Sequence, residues 1–186
     1  MTCGRAALPR PVSASLAVTL GVSCSCLALA LPAAADVAGL QGAASLGTRV
    51  NGVRGGRCVS GLCSVSGGVS SGKNLFHRFG AFDTRGAVQA VKFRTDGYRN
   101  IFVGVVDPLG TFIDKPVGLS AKANLVWLSP GGITVSGEGS FADVSSLRLS
   151  TATTARFGDK SFDVLNTREQ DLGIFSEVQS ENVEFV

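Results

Sequence analysis

The chain has 186 residues, 45% hydrophobic and only 17% charged, with 24 glycines, 11 phenylalanines and a formal charge of +3. A charged share below the usual ~25%, with glycine well above its usual ~7%, excludes a disordered chain and a helix-rich domain coated with Lys and Glu; it points to a turn-rich β protein. No dense cluster of basic residues occurs, so no nucleic-acid partner is expected.

Residues 1–35 read as a secretory signal peptide. Arg5 and Arg10 form a positive start, an apolar stretch runs from Leu16 to Leu31, and Ala33-Ala34-Ala35 gives the small-residue pattern that places cleavage between Ala35 and Asp36. Thr19, Ser23, Cys24, Ser25 and Cys26 interrupt the stretch and Pro32 follows it, so no stable transmembrane segment is expected. Nothing later in the chain is long and apolar enough to span, which sends the mature chain through the periplasm to a secreted or cell-surface location. Arg5 and Arg10 leave with the leader while no acid does, and the formal charge falls from +3 to +1.

The leader also removes Cys3, Cys24 and Cys26. Cys58 and Cys63 remain, an even number in an oxidising compartment, and are expected to pair across Val59-Ser60-Gly61-Leu62 as a local clip. A metal or redox pair is the weaker reading, because the chain has one histidine and no second cysteine pair to complete a zinc site. No cofactor is expected.

Strand-like runs follow one another without an amphipathic helix. Val88 to Arg94 places Val91 and Phe93 on one side and Lys92 and Arg94 on the other, and Asp96-Gly97 supplies a turn into a second run, Tyr98 to Val106. Further short runs are Thr111 to Ile113, Leu125 to Leu128, Ile133 to Val135, Val144 to Leu149 and Phe162 to Leu165, separated by Pro- and Gly-containing corners. Such a pattern suits a sandwich, a barrel or a β-solenoid. One internal echo fits the solenoid: Gly137-Glu138-Gly139-Ser140-Phe141 returns as Gly158-Asp159-Lys160-Ser161-Phe162, and it reads equally well as two unrelated glycine turns that each precede a strand. As a coil repeat it would stack Phe141 and Phe162 at equivalent inward positions.

From Asn166 the character changes. Glu169, Asp171, Glu177, Glu181 and Glu184 crowd the segment 166–186, which reads as a solvated last coil or a frayed end, and Val183-Glu184-Phe185-Val186 looks like a strand with an unpaired edge.

The stretch Ser71-Gly72-Lys73-Asn74-Leu75-Phe76-His77-Arg78-Phe79 resembles the opening of the filamentous haemagglutinin N-terminal domain, the two-partner secretion domain of large bacterial exoproteins, with Arg78 in place of that family's serine. Asn100-Ile101-Phe102, Phe112-Ile113-Asp114 and Ala123-Asn124-Leu125 stand in the family's order, and Leu128-Ser129-Pro130-Gly131-Gly132-Ile133 is similar to its Asn-Pro-Asn-Gly-Ile motif. Ser129 and Gly131 replace both asparagines, which bears on any contact specific to that side chain. Gly139-Ser140-Phe141 and Thr151 to Phe157 continue the likeness, which covers roughly Val50 to Leu165.

The resemblance implies an all-β, right-handed parallel β-helix, or β-solenoid, with an N-terminal cap. It places the secretion domain at 36–165 and an acidic segment at 166–186, and expects the solenoid to be cut short at its C-terminal end. It implies an exoprotein, part of an adhesin or haemagglutinin, recognised by a partner outer-membrane transporter through periplasmic domains. The residues carried over for recognition are Asn74, Leu75, Phe76, His77, Phe79, Asn124, Leu125, Ser129, Pro130, Gly131, Gly132 and Ile133.

The residue types also have plainer readings. Leu75, Phe76 and Phe79 suit a buried strand, which leaves Asn74 as the better recognition residue. His77, the only histidine, excludes a two-histidine metal site and reads as a partly satisfied structural residue. Trp127 more often packs than binds sugar. The nearest carboxylates to a hydrolytic pair are Asp143, Asp159 and Asp163, and they sit in turns, so an enzyme is not expected. The alternatives are a stand-alone surface module binding a host or cell-surface glycan, a non-functional fragment of a larger exoprotein and, least favoured, a β-helix polysaccharide hydrolase.

Overall fold

Alternating Val, Leu, Ile and Phe with glycine corners every few residues drive the chain into short strands that turn through three faces and stack on themselves. The computed structural model describes residues 38–157, 159–172 and 183–186, all within one compact unit of residues 36–186. The leader and the Ala35–Asp36 cleavage position lie outside the described residues, as do Gly158, Glu177 and Glu181.

The protein is an all-β solenoid of about four turns of stacked parallel strands. Its first face carries β7 (Asn74–Asp83), β9 (Asn100–Val105) and the later parts of β11 (Pro116–Leu128) and β13 (Ser140–Ser150), all parallel. The second face carries β5 (Ser60–Gly67), β8 (Ala87–Phe93) and the earlier parts of β11 and β13. The third is formed by the end of β7, β10 (Thr111–Ile113) and β12 (Ile133–Val135). Inward rows follow from the register: Leu75, Ile101, Leu125 and Leu147 form one, and His77, Val103, Trp127 and Leu149 the next.

The N-terminal end is closed by short antiparallel strands. β1 (Leu40–Gly42) pairs with β4 (Arg57–Cys58) and with β7; β2 (Thr48–Val50) pairs with β3 (Val53–Arg54) and β5; β6 (Val69–Ser71) pairs with β7. These supply the edges of β5 and β7 with partners that would otherwise be missing in the first coil. Cys58 and Cys63 form a disulfide with their Cα atoms 5.8 Å apart.

The run 88–106 is strand, turn, strand as expected, and the two strands do not bond to each other: β8 pairs with β5 and β11, while β9 pairs with β7 and β11. The Thr95–Arg99 corner therefore turns the chain from one face to the next. The echo is not a coil repeat: Phe141 packs beside Trp127 (6.4 Å between ring centres), whereas Phe162 lies on Phe76 (5.4 Å) on the outer side of the first face. After Ser150 the chain leaves the solenoid, so the second copy of the echo belongs to a different sheet.

That sheet also corrects the reading of the last segment. β14 (Thr154–Phe157) pairs antiparallel with β15 (Lys160–Asp163) on one side and β16 (Glu184–Phe185) on the other. The change of sheet comes before Thr154, ahead of the division expected at 165. Leu172 and Val183 are buried with Phe76, Phe102, Val126 and Leu128 in a second apolar cluster. The chain end is held by a reciprocal pair of bonds: Val186 N–H donates to the Thr154 carbonyl at 2.9 Å and Thr154 N–H to the Val186 carbonyl at 3.0 Å. A frayed end would not bury Leu172 and Val183, and their burial is what holds these residues against the protein.

Candidate functional site

The Asn74–Phe79 segment is the first strand of the first face, flanked by β9 on one side and the capping strands on the other. Strand alternation sends Leu75, His77 and Phe79 inward and Phe76 and Arg78 outward. Both sets are buried, because the three-stranded outer sheet covers the outward one.

Asn74 stands at the strand's start in a ladder. Asn100 Nδ2 donates to Asn74 Oδ1 at 2.9 Å, and Asn124 Nδ2 donates to Asn100 Oδ1 at 2.9 Å. Each rung joins one coil to the next, and Ser146 takes the position in the fourth. Asn74 is fully buried, and its own Nδ2 has no partner.

On the outward row Phe76 stacks on Phe102 with ring centres 4.8 Å apart, and Val126 follows below. Phe157 lies 5.3 Å from Phe102 and Phe162 5.4 Å from Phe76, so the outer sheet seals the row. Gly104, next to this row, makes room: a Cβ there would lie 3.0 Å from Phe162 Cζ and 3.1 Å from Val164 Cγ1. Arg78 fixes the same sheet from below. Its Nη2 donates to the Asp163 carbonyl at 3.0 Å and its Nη1 to Ser45 Oγ at 3.4 Å, while Nε is buried without a partner. Burial lowers the Arg78 pKa, partly offset by the Asp163 carboxylate.

His77 points into the core against Gly68 and the Phe93 ring, 5.5 Å away edge-on. Neither ring nitrogen has a partner, which corrects the expectation of a partly satisfied histidine. Burial pushes its pKa down to about 3, since a charged imidazole would lose its hydration with nothing to replace it.

The corner Ser129 to Ile133 lies at the far end of the first face. Gly132 N–H donates to the Ser129 carbonyl at 2.9 Å to close the turn, and Ser129 N–H donates to the Ser150 carbonyl at 3.0 Å. A Cβ on Gly131 would come within 2.5 Å of the Asp107 carbonyl oxygen and of Gly110 N, because the Asp107–Gly110 corner is stacked directly on it. Glycine at 131, where the resembled family has asparagine, is thus the residue this close packing admits. Ser129 is buried with its hydroxyl unpartnered.

The structure therefore brings Asn74 and Leu75 into the same rows as Asn124 and Leu125, joined through Asn100 and Ile101, and leaves the 129–133 corner apart from them. Asn100, Phe102, Gly104, Phe157 and Phe162 are the site residues that the recognition set omits. Equal residue types at 74, 100 and 124, one coil apart, are the sequence signal for the first of them.

Trp127 is fully buried, edge-on to Phe82 at 4.6 Å, and its Nε1 donates to Thr111 Oγ1 at 3.2 Å, so it offers no platform to a sugar. Asp143 is exposed and paired with Lys92 at 3.2 Å. Asp159 and Asp163 rim a shallow depression on the outer sheet with Lys160 and Asp171. Desolvation raises Asp163, but hydrogen bonds from Asn166 and Leu165 and the charge of Arg78 outweigh it and hold its pKa below the usual value. That direction is opposite to what a general acid needs. Among the described residues no group of three or more His, Cys, Asp or Glu is placed to hold a metal, and no helix is long and apolar enough to cross a membrane. No family model, curated protein or solved structure matches the chain.

Proposed function

We propose that this protein is an exported secretion domain of the two-partner type, whose Asn74–Phe79 segment is read by an outer-membrane transporter's periplasmic domains. The observation that carries the reading is the placement of the resembling segments. Asn74-Leu75 and Asn124-Leu125 occupy matched rows of a capped solenoid, joined by Asn100-Ile101. Such a solenoid is built from non-local pairings: Asn74 and Asn100 meet across 26 residues and Asn100 and Asn124 across 24. Folds of that kind form slowly, which supports recognition of an extended chain before it closes. An extended segment can be bound by strand addition, with main-chain bonds for affinity and pockets for Leu75 and Phe76 for selectivity. The buried Trp127 gives the glycan-binding alternative no comparable support.

Deleting the whole segment would remove the central strand of the first coil, so point substitutions are the cleaner test. Secretion is measured as the fraction of chain in the medium of cells carrying the gene and its candidate transporter, beside refolding of the purified protein. Asn74→Ser and Phe76→Leu are expected to reduce secretion several-fold while refolding yield stays within twofold. Wild-type secretion that does not require the transporter, or unaltered secretion of both variants, would overturn the reading.

A further inference from the structure

The two ends of the solenoid are unlike. At the N-terminal end β5 is covered by β2, and β7 by β6 and β1. At the other end β13 pairs only with β11, and β12 only with β10, among the described residues. The outer edges of the last coil therefore hold backbone N–H and C=O groups with no strand beside them among the described residues. Leu147 and Leu149 continue the inward rows that end in Leu125 and Trp127, yet each is 40% exposed, and Val135, below Ile113, is 45% exposed. A shallow depression of about 390 Å³ lies between Ile133, Val135 and Leu149. The described part of the chain that follows does not cover this end: β14 packs on Phe102 at the outer face instead.

Neither edge carries a lysine or proline; β13 is bulged near Asp143, where its register with β11 shifts, and runs regularly beside β11 only from Ser146 to Ser150. At the capped end the outermost strands, β3, β4 and β6, are only two or three residues long, too short to template a further coil, so contact between copies through the open edge does not repeat head to tail into a filament and closes after two chains. A two-fold axis makes β13 run antiparallel to its own copy. Centred on Leu147, the pairing sets Leu147 against Leu147 and Arg148 against Ser146, with no like charges opposed.

We propose that the open end is the contact surface for a second copy of this chain, joined tail to tail by antiparallel pairing of β13. The surface is one coil in cross-section, small beside the ~1,600 Å² of a standard stable interface, so the dimer is reversible and concentration-dependent. The inference is independent of export.

Sedimentation velocity of the full chain from about 1 to 300 µM tests it. The wild type is expected to move from monomer to dimer, and hydrogen exchange at 144–150 to slow as concentration rises. Leu147→Lys with Leu149→Lys is expected to stay monomeric throughout, with the far-ultraviolet dichroism and Trp127 emission of the wild type. Val135→Lys, on the other open strand, serves if the double variant misfolds. A wild type that is monomeric at the highest concentration overturns the proposal, as does a dimer that survives these substitutions. Exchange at 144–150 that is slow at every concentration also overturns it, because the chain would then close its own end.

Discussion

His77 makes the fold acid-labile by an amount that can be worked out. Its ring is fully buried and both nitrogens lack partners, and its pKa is about 3 in the folded protein against an ordinary 6.5. The unfolded chain therefore binds a proton below pH 6.5 that the folded one refuses until about pH 3. Stability is complete above pH 6.5 and is lost as pH falls, at about 1.4 kcal/mol per unit. Between pH 7 and pH 5 the loss is about 2 kcal/mol. That window lies above the ordinary carboxylate range, so Asp163, whose lowered pKa also costs stability in acid, adds little there. His77→Leu removes the proton site and two unsatisfied buried nitrogens, each of which costs about 1–3 kcal/mol when left unpaired. The variant is expected to be at least as stable as the wild type at pH 7 and to lose most of the pH 7 to 5 slope. Urea unfolding followed by the emission of Trp127, the one tryptophan, reads both quantities. Equal slopes for the two proteins would refute the reasoning, since burial without a partner would then not be the origin of the acid sensitivity.

Asn100→Leu breaks the ladder at its middle rung, leaving Asn74 Oδ1 and Asn124 Nδ2 without the bonds they share with it; a loss of about 3 kcal/mol or more is expected in urea unfolding. Gly104→Val places methyl groups where Phe162 and Val164 lie, and is expected to cost about 1–3 kcal/mol by overpacking. Its effect should be local: faster protease cleavage between Thr151 and Val186 and increased binding of a hydrophobic dye, with exchange in β8 and β11 unchanged.

The strands themselves could be read closely from residue patterns. The runs at Thr111–Ile113 and Ile133–Val135 coincide with β10 and β12, and those at 125–128 and 144–149 fall within β11 and β13. Partnership was not readable in the same way. Asp96-Gly97 announces a turn, but a turn of that kind serves a hairpin and a solenoid corner alike, and only the register distinguishes them. Coil length varies too, with 26 residues between Asn74 and Asn100 but 24 between Asn100 and Asn124, so no fixed period stands out and the Gly-Ser-Phe echo misleads. The Cys58–Cys63 disulfide followed from a count of cysteines and from the oxidising compartment that the leader-like start led one to expect. The outer sheet is the largest gap: Phe162 packs on Phe76, and Val183 joins the same apolar cluster, through tertiary contact, while their own neighbours in sequence look like one more coil.

That outer sheet bears on when recognition can occur. In the finished fold Asn74 and Leu75 are buried, Phe76 is stacked between Phe102 and Phe162, and Arg78 is tied to the carbonyl of Asp163. A transporter reading these side chains under the proposed function must do so before β14, β15 and β16 dock. The contacts that seal the segment come from residues that follow it by some eighty positions, Phe157 and Phe162 among them, and so are made later in synthesis. Under the proposed function cover and recognition would compete for one row of residues, and the order of synthesis would favour recognition. Once the outer sheet is in place, returning Phe76 to a partner would require exposing Phe102, Phe157 and Phe162 together, and burial of that much aromatic surface makes the step unfavourable. Under the proposed function, the same packing that completes the fold would withdraw the segment from the transporter.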